Sequence, residues 1–343
     1  MIEKKKILLG ISCGDINGIG LELLIKSLLN NTLFNFCIPI LYAPLMAVGF
    51  YKKLSSLEFT YHVIKQVGQA LPNQLNIVQI DCANNTVEPG VSRQYAGRVA
   101  IESLNLACLD LKNNQLDVLV TLPINKHNVS LVQSEFIGHT EYLSTFFNAN
   151  SLMLLCADNL RVATVTNHIP ISRVQSCITP AIIEEKIKIL IQTLSVDFLI
   201  EKPTIAVLSL NPHVGDNGLI GCEDEKIIKP VIDKFFTKGS LVYGPYSADG
   251  FFGSGAYVNF DAVLGMYHDQ ALIPFKTLSF GKGVNYTAGL QCVRVSPDHG
   301  VGYDISGQNK ASESSFLSAI LLAKEIHHNR FMHMDIMRKK VHT

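Results

Sequence analysis

Four of the eleven histidines stand just after short apolar runs of the kind that forms buried strands, namely His168, His213, His268 and His299. A fifth, His139, lies in Ile-Gly-His-Thr-Glu. Neutral imidazole is the commonest metal ligand among side chains, and three such ligands with an open coordination position make a catalytic metal site. The histidines are too far apart in sequence to form a local motif, so hydrogen-bonded structural histidines are the alternative.

Three later residues have side chains suited to binding an anion. Lys276 follows His268 within one connection, and Asn285 and Arg294 come after it. Lysine offers a point charge, arginine a bidentate fork and asparagine a further donor, which is the combination that phosphate sites use. Solvated surface charges are the alternative. Arg294 lies inside an apolar stretch, where a buried cation needs a partner.

Two carboxylates and a glycine-rich loop complete the candidates. Asp249 and Asp269 can act as a base or orient a metal-bound histidine, and ordinary capping or turn roles are equally compatible with them. The loop Gly14–Gly20 follows the first apolar run, in a position suited to a phosphate. It matches neither the dinucleotide-binding pattern nor the P-loop pattern, so a tight strand-to-helix turn is the alternative.

The elements that must position these residues are predicted from hydrophobic periodicity. Apolar runs predict strands at Lys6–Ser12, Phe36–Tyr42, Leu116–Thr121, Leu152–Cys156, Val162–Val165, Thr204–Leu208 and Ala262–Met266. Helical spacing predicts helices at Gly18–Asn30, Ser92–Asn113, Pro180–Ser195, Glu223–Lys238 and Ser312–His328. Alternating strands and helices predict an α/β fold with mostly parallel sheets, whose ligands bind beyond the carboxyl ends of the strands.

The length of 343 residues predicts about two domains. We predict a discontinuous first α/β domain over residues 1–130 and 265–343. A second α/β domain is predicted over residues 131–264. The ligands lie in both halves, so we expect an active-site cleft between the domains.

Composition excludes several classes of protein. The 29 Lys+Arg residues balance 29 Asp+Glu residues, which argues against a nucleic-acid binder with a basic patch. The eight cysteines form no Cys-x-x-Cys pair and indicate thiols in a reducing compartment. The apolar run near the N-terminus is too short for a signal peptide, and no run of 18 apolar residues predicts a membrane helix. We therefore expect a cytoplasmic protein.

Taken in order, these motifs resemble the 4-hydroxythreonine-4-phosphate dehydrogenase family of the vitamin B6 pathway. The resemblance covers about nine-tenths of the chain and is specific as an ordered set. The motifs are Gly14-Asp15, Gly18-Ile19-Gly20, Gly138-His139-Thr140-Glu141, Thr166-Asn167-His168-Ile169-Pro170, Asn211-Pro212-His213, Ala248-Asp249, His268-Asp269-Gln270, Pro274-Phe275-Lys276, Gly283-Val284-Asn285, Arg294, and Asp298-His299-Gly300 with Asp304-Ile305-Ser306-Gly307.

The resemblance implies a role for each candidate residue. The divalent metal, which is zinc, magnesium or cobalt, would be bound by His168, His213 and His268. The substrate, largely its phosphate, would be bound by His139, Thr140, Lys276, Asn285 and Arg294. The cofactor, NAD or NADP, would contact His299, Gly300, Asp304 and Gly307. The family implies two α/β/α domains similar to those of isocitrate and isopropylmalate dehydrogenases, and a homodimer whose active site the partner subunit completes.

The implied reaction is the NAD-dependent oxidation of 4-phosphooxy-L-threonine and its decarboxylation to 3-amino-2-oxopropyl phosphate, for pyridoxal 5'-phosphate biosynthesis. Asp249, Asp269 and a metal-bound water are the candidates for the base. Three alternatives stay open: the same chemistry on a phosphothreonate or phosphoerythronate, a metal-dependent hydrolase or lyase, and a catalytically silent binding protein.

Overall fold

The computed structural model describes residues 6–28, 33–35, 37–81 and 86–341. It divides into two compact units, of which the first comprises Met1–Asn148 and Leu290–His327. The second comprises Ala149–Gly289 and His328–Thr343. Parts of three sequence-based assignments lie outside the described residues: Leu29 and Asn30 of a predicted helix, Phe36 of a predicted strand, and Cys82.

The first unit contains a six-stranded sheet in which the strands that pair run parallel. Its strands are β1 (Ile7–Ser12), β2 (Cys37–Ala43), β3 (Tyr61–Ile64), β4 (Leu75–Gln79), β5 (Val118–Thr121) and β12 (Val293–Pro297). Their order is β3-β4-β2-β1-β5-β12. All four residues of β5 are buried, as expected for a parallel strand that helices cover on both faces.

The helices of the first unit follow its strands. They are α1 (Gly20–Ser27), α2 (Leu45–Ser55), α3 (Gln94–Lys112), α4 (Lys126–Ser130), α5 (His139–Phe147) and the larger part of α11 (Ser314–Val341). The short helix α4 begins where the Asn125 side chain accepts a hydrogen bond from the backbone N–H of Asn128, which is a favourable N-cap. Helices α1 and α3 therefore connect parallel strands of one sheet, the arrangement predicted from the alternating pattern.

The strands of the second unit are both parallel and antiparallel to their neighbours. Its strands are β6 (Leu152–Ala157), β7 (Leu160–Thr164), β8 (Thr204–Leu208), β9 (Leu241–Tyr246), β10 (Ala262–Gly265) and β11 (Val284–Ala288), in the order β11-β6-β7-β10-β8-β9. Strands β7, β10, β8 and β9 pair in parallel, whereas β6 is antiparallel to both β7 and β11. The predicted α/β fold with mostly parallel sheets is confirmed.

The second unit also contains the end of α11 and the helices α6 (Ile171–Cys177), α7 (Pro180–Asp197), α8 (Lys229–Thr237), α9 (Ala248–Gly253) and α10 (His268–Ser279). Helix α7 begins with Pro180 at its first position and with the Thr179 hydroxyl accepting from Ile182 N, two signals that favour a helix start. The predicted helix Glu223–Lys238 is a π-helical turn at Asp224–Ile228 followed by α8.

The bounds of the two units differ from those drawn on the sequence. Residues 131–148 belong to the first unit, and residues 265–289 and 328–343 belong to the second. Strand β11 pairs with β6 along its whole length, which joins it to the second sheet. Such a pairing between segments about 130 residues apart leaves no local signal in the sequence.

The seven described cysteines are free thiols, of which Cys13, Cys37, Cys108 and Cys156 are buried. Burial raises the pKa of Cys13, Cys37 and Cys108 to about 12, so these thiols are unreactive. Among the described residues, no helix has the length and apolar character needed to cross a membrane.

Candidate active site

The three histidines predicted to bind metal follow three neighbouring parallel strands of the second unit. His168 comes after β7, His213 after β8 and His268 directly after β10, and β10 lies between the other two strands. Carboxyl ends of adjacent parallel strands point to the same edge of a sheet, where ligands of α/β proteins bind. The topology of this unit therefore gathers the three segments at one edge.

Two of these histidines are in direct contact. The ring centroids of His168 and His268 are 5.5 Å apart. Hydrogen bonds from Thr166 N and Thr166 Oγ1 to the carbonyl of Met266, at 3.2 and 2.8 Å, fix their backbone segments together. His268 Nδ1 lies 2.7 Å from Asp269 Oδ1, the arrangement in which a carboxylate orients a metal-binding imidazole by its other nitrogen.

His213 lies in an unusual left-handed segment. Residues 213–217 all have positive φ, including the non-glycine residues His213 (52°) and Val214 (57°), and each such residue costs roughly 1–2 kcal/mol. The start of the segment is anchored by the buried Asp224, whose carboxylate accepts from Leu210 N at 2.7 Å and from Asn211 N at 3.0 Å. Asp224 thus fixes this loop from the first turn of the π-helical segment.

The donor chemistry of the three histidines fits a divalent metal such as zinc or cobalt. His268 is already oriented by Asp269, and His168 is beside it. Within the described side chains, no three His, Cys, Asp or Glu residues lie close enough together to hold an ion. The structure therefore brings His168 and His268 together and leaves His213 out of a three-ligand group.

Both candidate base residues, Asp249 and Asp269, line one cavity of about 660 Å³ in the second unit. Asn211, Pro212 and Gln270 contribute to the same wall. A 2.6 Å hydrogen bond from Ser247 Oγ is the main cause that lowers the pKa of Asp249, and the nearby His213 adds to this lowering. Asp249 is therefore ionised at neutral pH and able to accept a proton.

The predicted anion-binding residues of the second unit are differently exposed. Lys276 is exposed in the last turn of α10. Asn285 is in β11, opposite Leu155 of β6, and its Oδ1 atom is buried without a hydrogen-bond partner among the described residues. An unsatisfied buried amide oxygen is costly, so a ligand that donates a hydrogen bond there would be stabilised.

Arg294 is the largest fully buried side chain of the chain, with 1% of its surface exposed. It lies in β12 beside β5, and its Nε and Nη2 atoms donate to Thr121 Oγ1 at 3.1 and 2.5 Å. Burial lowers the pKa of its guanidinium to about 10, so the group remains charged at pH 7. A buried cation held by a hydroxyl favours the approach of an anion.

His139 and Thr140 form the first turn of α5, in the same unit. The N-cap residue Gly138 has no side chain that could accept from the N–H groups of this helix end, and such groups favour an anion. His139 Nε2 is buried without a hydrogen-bond partner in the described chain. Burial, followed by the charges of Arg294 and Lys126, lowers its pKa well below the usual value, so His139 is neutral at pH 7.

The predicted cofactor segment follows β12, and its residues differ in their surroundings. His299, Gly300 and Asp304 are wholly or partly exposed, and open space lies next to Gly300, which fits a bound nucleotide. Gly307 is different, because its N–H donates to Glu22 Oε2 at 3.2 Å. The first three residues can contact a cofactor, whereas Gly307 attaches the segment to α1.

The loop Gly14–Gly20 is a packed junction. A Cβ atom on Gly14, which has φ +64°, would lie 2.3 Å from the carbonyl oxygen of Pro123. A Cβ atom on Gly18 would lie 2.7 Å from the carbonyl oxygen of Val301. Its glycines thus allow close backbone packing, which supports the turn alternative over the phosphate cradle.

Two residues next to Arg294 and His139 were missed on the sequence. Thr121 ends β5 and accepts both hydrogen bonds from Arg294. Lys126 begins α4, and burial is the main cause of its lowered pKa. Both lie at or just beyond the carboxyl end of a parallel strand, and this position is the signal that could have identified them.

Comparison with known proteins identifies relatives of this chain that match most of its length. The family model described as "Pyridoxal phosphate biosynthetic protein PdxA" matches residues 35–323. The 4-hydroxythreonine-4-phosphate dehydrogenase of Bacteroides thetaiotaomicron is 43% identical over 333 residues, covering 96% of this chain and 91% of the relative. That of Prosthecochloris aestuarii is 37% identical over 328 residues, covering 93% and 97%.

A solved structure of similar fold agrees with these matches. The crystal structure of the 4-hydroxythreonine-4-phosphate dehydrogenase of Klebsiella pneumoniae aligns with a TM-score of 0.81 at 30% identity, covering 94% of this chain and 98% of that one. Sequence and fold therefore agree over nearly the whole length: this chain belongs to the PdxA family of pyridoxal phosphate biosynthetic proteins.

Proposed function

We propose that this chain is a 4-hydroxythreonine-4-phosphate dehydrogenase, which oxidises 4-phosphooxy-L-threonine with NAD and yields 3-amino-2-oxopropyl phosphate after decarboxylation. The observation that carries this proposal is the placement of His168, His213 and His268 after three neighbouring parallel strands. The named relatives, which match this chain almost end to end, support the choice of substrate.

We assign the histidines and aspartates of the second unit to the end of the substrate that reacts. A divalent cation held by His168, His213 and His268 would lower the pKa of the substrate hydroxyl and stabilise the charge formed on oxidation and decarboxylation. Asp269 orients the His268 ring. Asp249, which is ionised and lines the same cavity as Asp269, is a candidate to receive the hydroxyl proton.

The phosphate of the substrate would be bound by hydrogen-bond donors, some charged and some neutral. We assign Arg294, His139 and Thr140 of the first unit to it, together with Lys276 and Asn285 of the second. Neutral His139 can donate one hydrogen bond without adding a third positive charge beside Arg294 and Lys126. Binding energy from the phosphate, which does not react, positions the carbon that does.

The nicotinamide cofactor, NAD or NADP, would accept the hydride, and we assign its binding to the exposed face of His299, Gly300 and Asp304. Gly307 supports that segment through Glu22. We further propose a cytoplasmic homodimer whose active site is completed by the partner subunit. The free, buried thiols are consistent with a reducing compartment.

A substrate panel tests the proposal. NADH absorbance is followed with 4-phosphooxy-L-threonine, its unphosphorylated analogue, a phosphothreonate and a phosphoerythronate, each with added divalent metal. Fastest turnover of 4-phosphooxy-L-threonine supports the proposal, and loss of turnover without the phosphate supports the phosphate site. A clear preference for another phosphorylated acid, or release of phosphate without NADH, would overturn it.

A further inference from the structure

The first unit contains a buried carboxylate that the proposed chemistry does not use. Asp15 follows β1 and has 1% of its surface exposed. Its Oδ2 atom accepts from Tyr303 Oη at 2.7 Å and from Asn128 Nδ2 at 3.1 Å, and its Oδ1 atom accepts from Asn17 N at 2.9 Å. These donors are neutral, and within the described residues no cation lies at ion-pair distance. A charge buried in this way is unfavourable unless its hydrogen bonds are retained.

Tyr303 connects Asp15 with the segment that bears the proposed cofactor residues. Its hydroxyl donates to Asp15 and accepts from Asn128 Nδ2 at 3.0 Å and Asn125 Nδ2 at 3.2 Å. Asp15 follows β1, and Asn125 and Asn128 follow the adjacent strand β5. The phenol is therefore held from two strand ends at once, midway between Gly300 and Gly307.

Further contacts, mainly of the backbone, fix the segment 299–307 on the side from which Tyr303 contacts Asp15. Ile19 N donates to the carbonyl of Val301 at 2.9 Å, and Ser306 Oγ donates to the carbonyl of Asn17 at 2.8 Å. A Cβ atom on Gly90 would lie 2.7 Å from the carbonyl oxygen of Tyr303. One face of the segment is thus bound to the loops after β1 and β5, while Gly300 and Asp304 remain exposed.

We propose that Asp15 is a positioning residue for the cofactor, which fixes Tyr303 and thereby holds the segment 299–307 in the shape that the nucleotide requires. This inference rests on the proposed function, because it takes the exposed residues His299, Gly300 and Asp304 as the cofactor contacts. Asp15 itself touches neither substrate nor cofactor. Loss of the Asp15 carboxylate lowers the fraction of molecules in which the segment 299–307 has the conformation that binds the nucleotide. The apparent affinity for the nucleotide decreases in proportion to that fraction.

The test compares Asp15→Asn and Tyr303→Phe with the unaltered full chain. NAD binding is measured by calorimetry, and the amide hydrogen exchange of residues 299–307 by mass spectrometry. We expect the Kd for NAD to rise roughly tenfold in both variants, as for the loss of one hydrogen bond to a charged group. Exchange in the segment should accelerate, and the KM for the phosphorylated substrate should change less than twofold.

Tyr42→Phe is the matched control. Tyr42 is likewise a tyrosine of the first unit whose hydroxyl donates to a carboxylate, that of Asp110, at 2.5 Å, although its ring is more deeply buried than that of Tyr303. Its loss should lower stability to a similar degree and leave the Kd for NAD unchanged. If Tyr42→Phe weakens NAD binding as much as Tyr303→Phe, the effect is general destabilisation and the inference is wrong.

The remaining outcomes separate the inference from the proposed function. Wild-type affinity for NAD in both Asp15→Asn and Tyr303→Phe would overturn the positioning role and leave the dehydrogenase proposal intact. Failure of the unaltered chain to bind NAD or NADP in the presence of substrate and metal would overturn the proposed function, and the inference with it.

Discussion

Replacement of Arg294 by methionine separates a binding role from a structural one. Methionine has a similar length and no charge, so it fills the buried space beside Thr121 without the burial penalty of a cation. A structural arginine stabilises the fold when present. An arginine kept for an anionic ligand is expected to destabilise the fold less, when it is removed, than an arginine of a buried structural ion pair.

The magnitudes follow from the surroundings of the guanidinium. Burial lowers the pKa of Arg294 to about 10, which means that the fold disfavours its charged form by roughly 3 kcal/mol. Removal of the two hydrogen bonds to Thr121 costs about 1 kcal/mol each. We therefore expect Arg294→Met to lower the free energy of unfolding by less than the roughly 3–5 kcal/mol that breaking a buried ion pair costs, because removal of a buried charge offsets the lost contacts. Loss of a charge-assisted phosphate contact, about 1.5–3 kcal/mol, should raise the substrate Kd roughly 10- to 150-fold.

The assay pairs urea unfolding with calorimetric binding of 4-phosphooxy-L-threonine. Arg330→Met is the matched control, because Arg330 Nε donates to the buried Asp197 at 2.6 Å. Breaking that pair should destabilise the fold by about 3–5 kcal/mol with little change in substrate Kd. Unchanged substrate affinity in Arg294→Met, or a stability loss like that of the control, would refute the phosphate-binding role.

Three further predictions address the metal, the pH dependence and the glycine-rich loop. His213→Ala should reduce bound metal, measured by elemental analysis after equilibration with zinc, from about one ion per chain to well below one, and retention of a full equivalent would exclude His213 as a ligand. The pKa of His139 is lowered in the folded state, so below about pH 6.5 the unfolded chain binds more protons than the folded one. The free energy of unfolding therefore decreases as the pH is lowered through this range, by at most about 1.4 kcal/mol per pH unit. His139→Gln should flatten this decline in urea titrations between about pH 5 and 7.5, and an identical slope in both proteins would show that another group is responsible. Gly14→Ala should lower the free energy of unfolding by roughly 2 kcal/mol or more, since positive φ and a backbone clash coincide at this position. The control Gly49→Ala in α2 should be neutral or stabilising, because a Cβ atom there meets nothing within 4 Å. Equal effects of the two changes would contradict the packing role of Gly14.

Much of the fold can be predicted from the sequence where both faces of a strand are buried. Strands β1, β6 and β8 appear as short runs of Leu, Ile and Val because both of their faces are buried. The burial of Arg294 was likewise indicated by its apolar neighbours. Strand β12 itself was not predicted, because Arg294 and Ser296 interrupt the apolar pattern.

The unpredicted features depend on contacts that are distant in sequence. The pairing of β11 with β6 moves the unit boundary, and no local pattern encodes it. The left-handed conformation of His213 and Val214 contradicts their own backbone preferences and is supported from Asp224. Lys126 is a lone lysine at the start of the short helix α4, and only its surroundings in the fold connect it with His139.

The metal-dependent dehydrogenase activity is tested by measuring NADH formed per 4-phosphooxy-L-threonine consumed, first with chelated protein and then after divalent metal is added back. We expect no NADH without metal, and one NADH together with one 3-amino-2-oxopropyl phosphate per substrate when metal is restored. Consumption of the substrate without NADH, or the same rate with and without metal, would contradict this expectation.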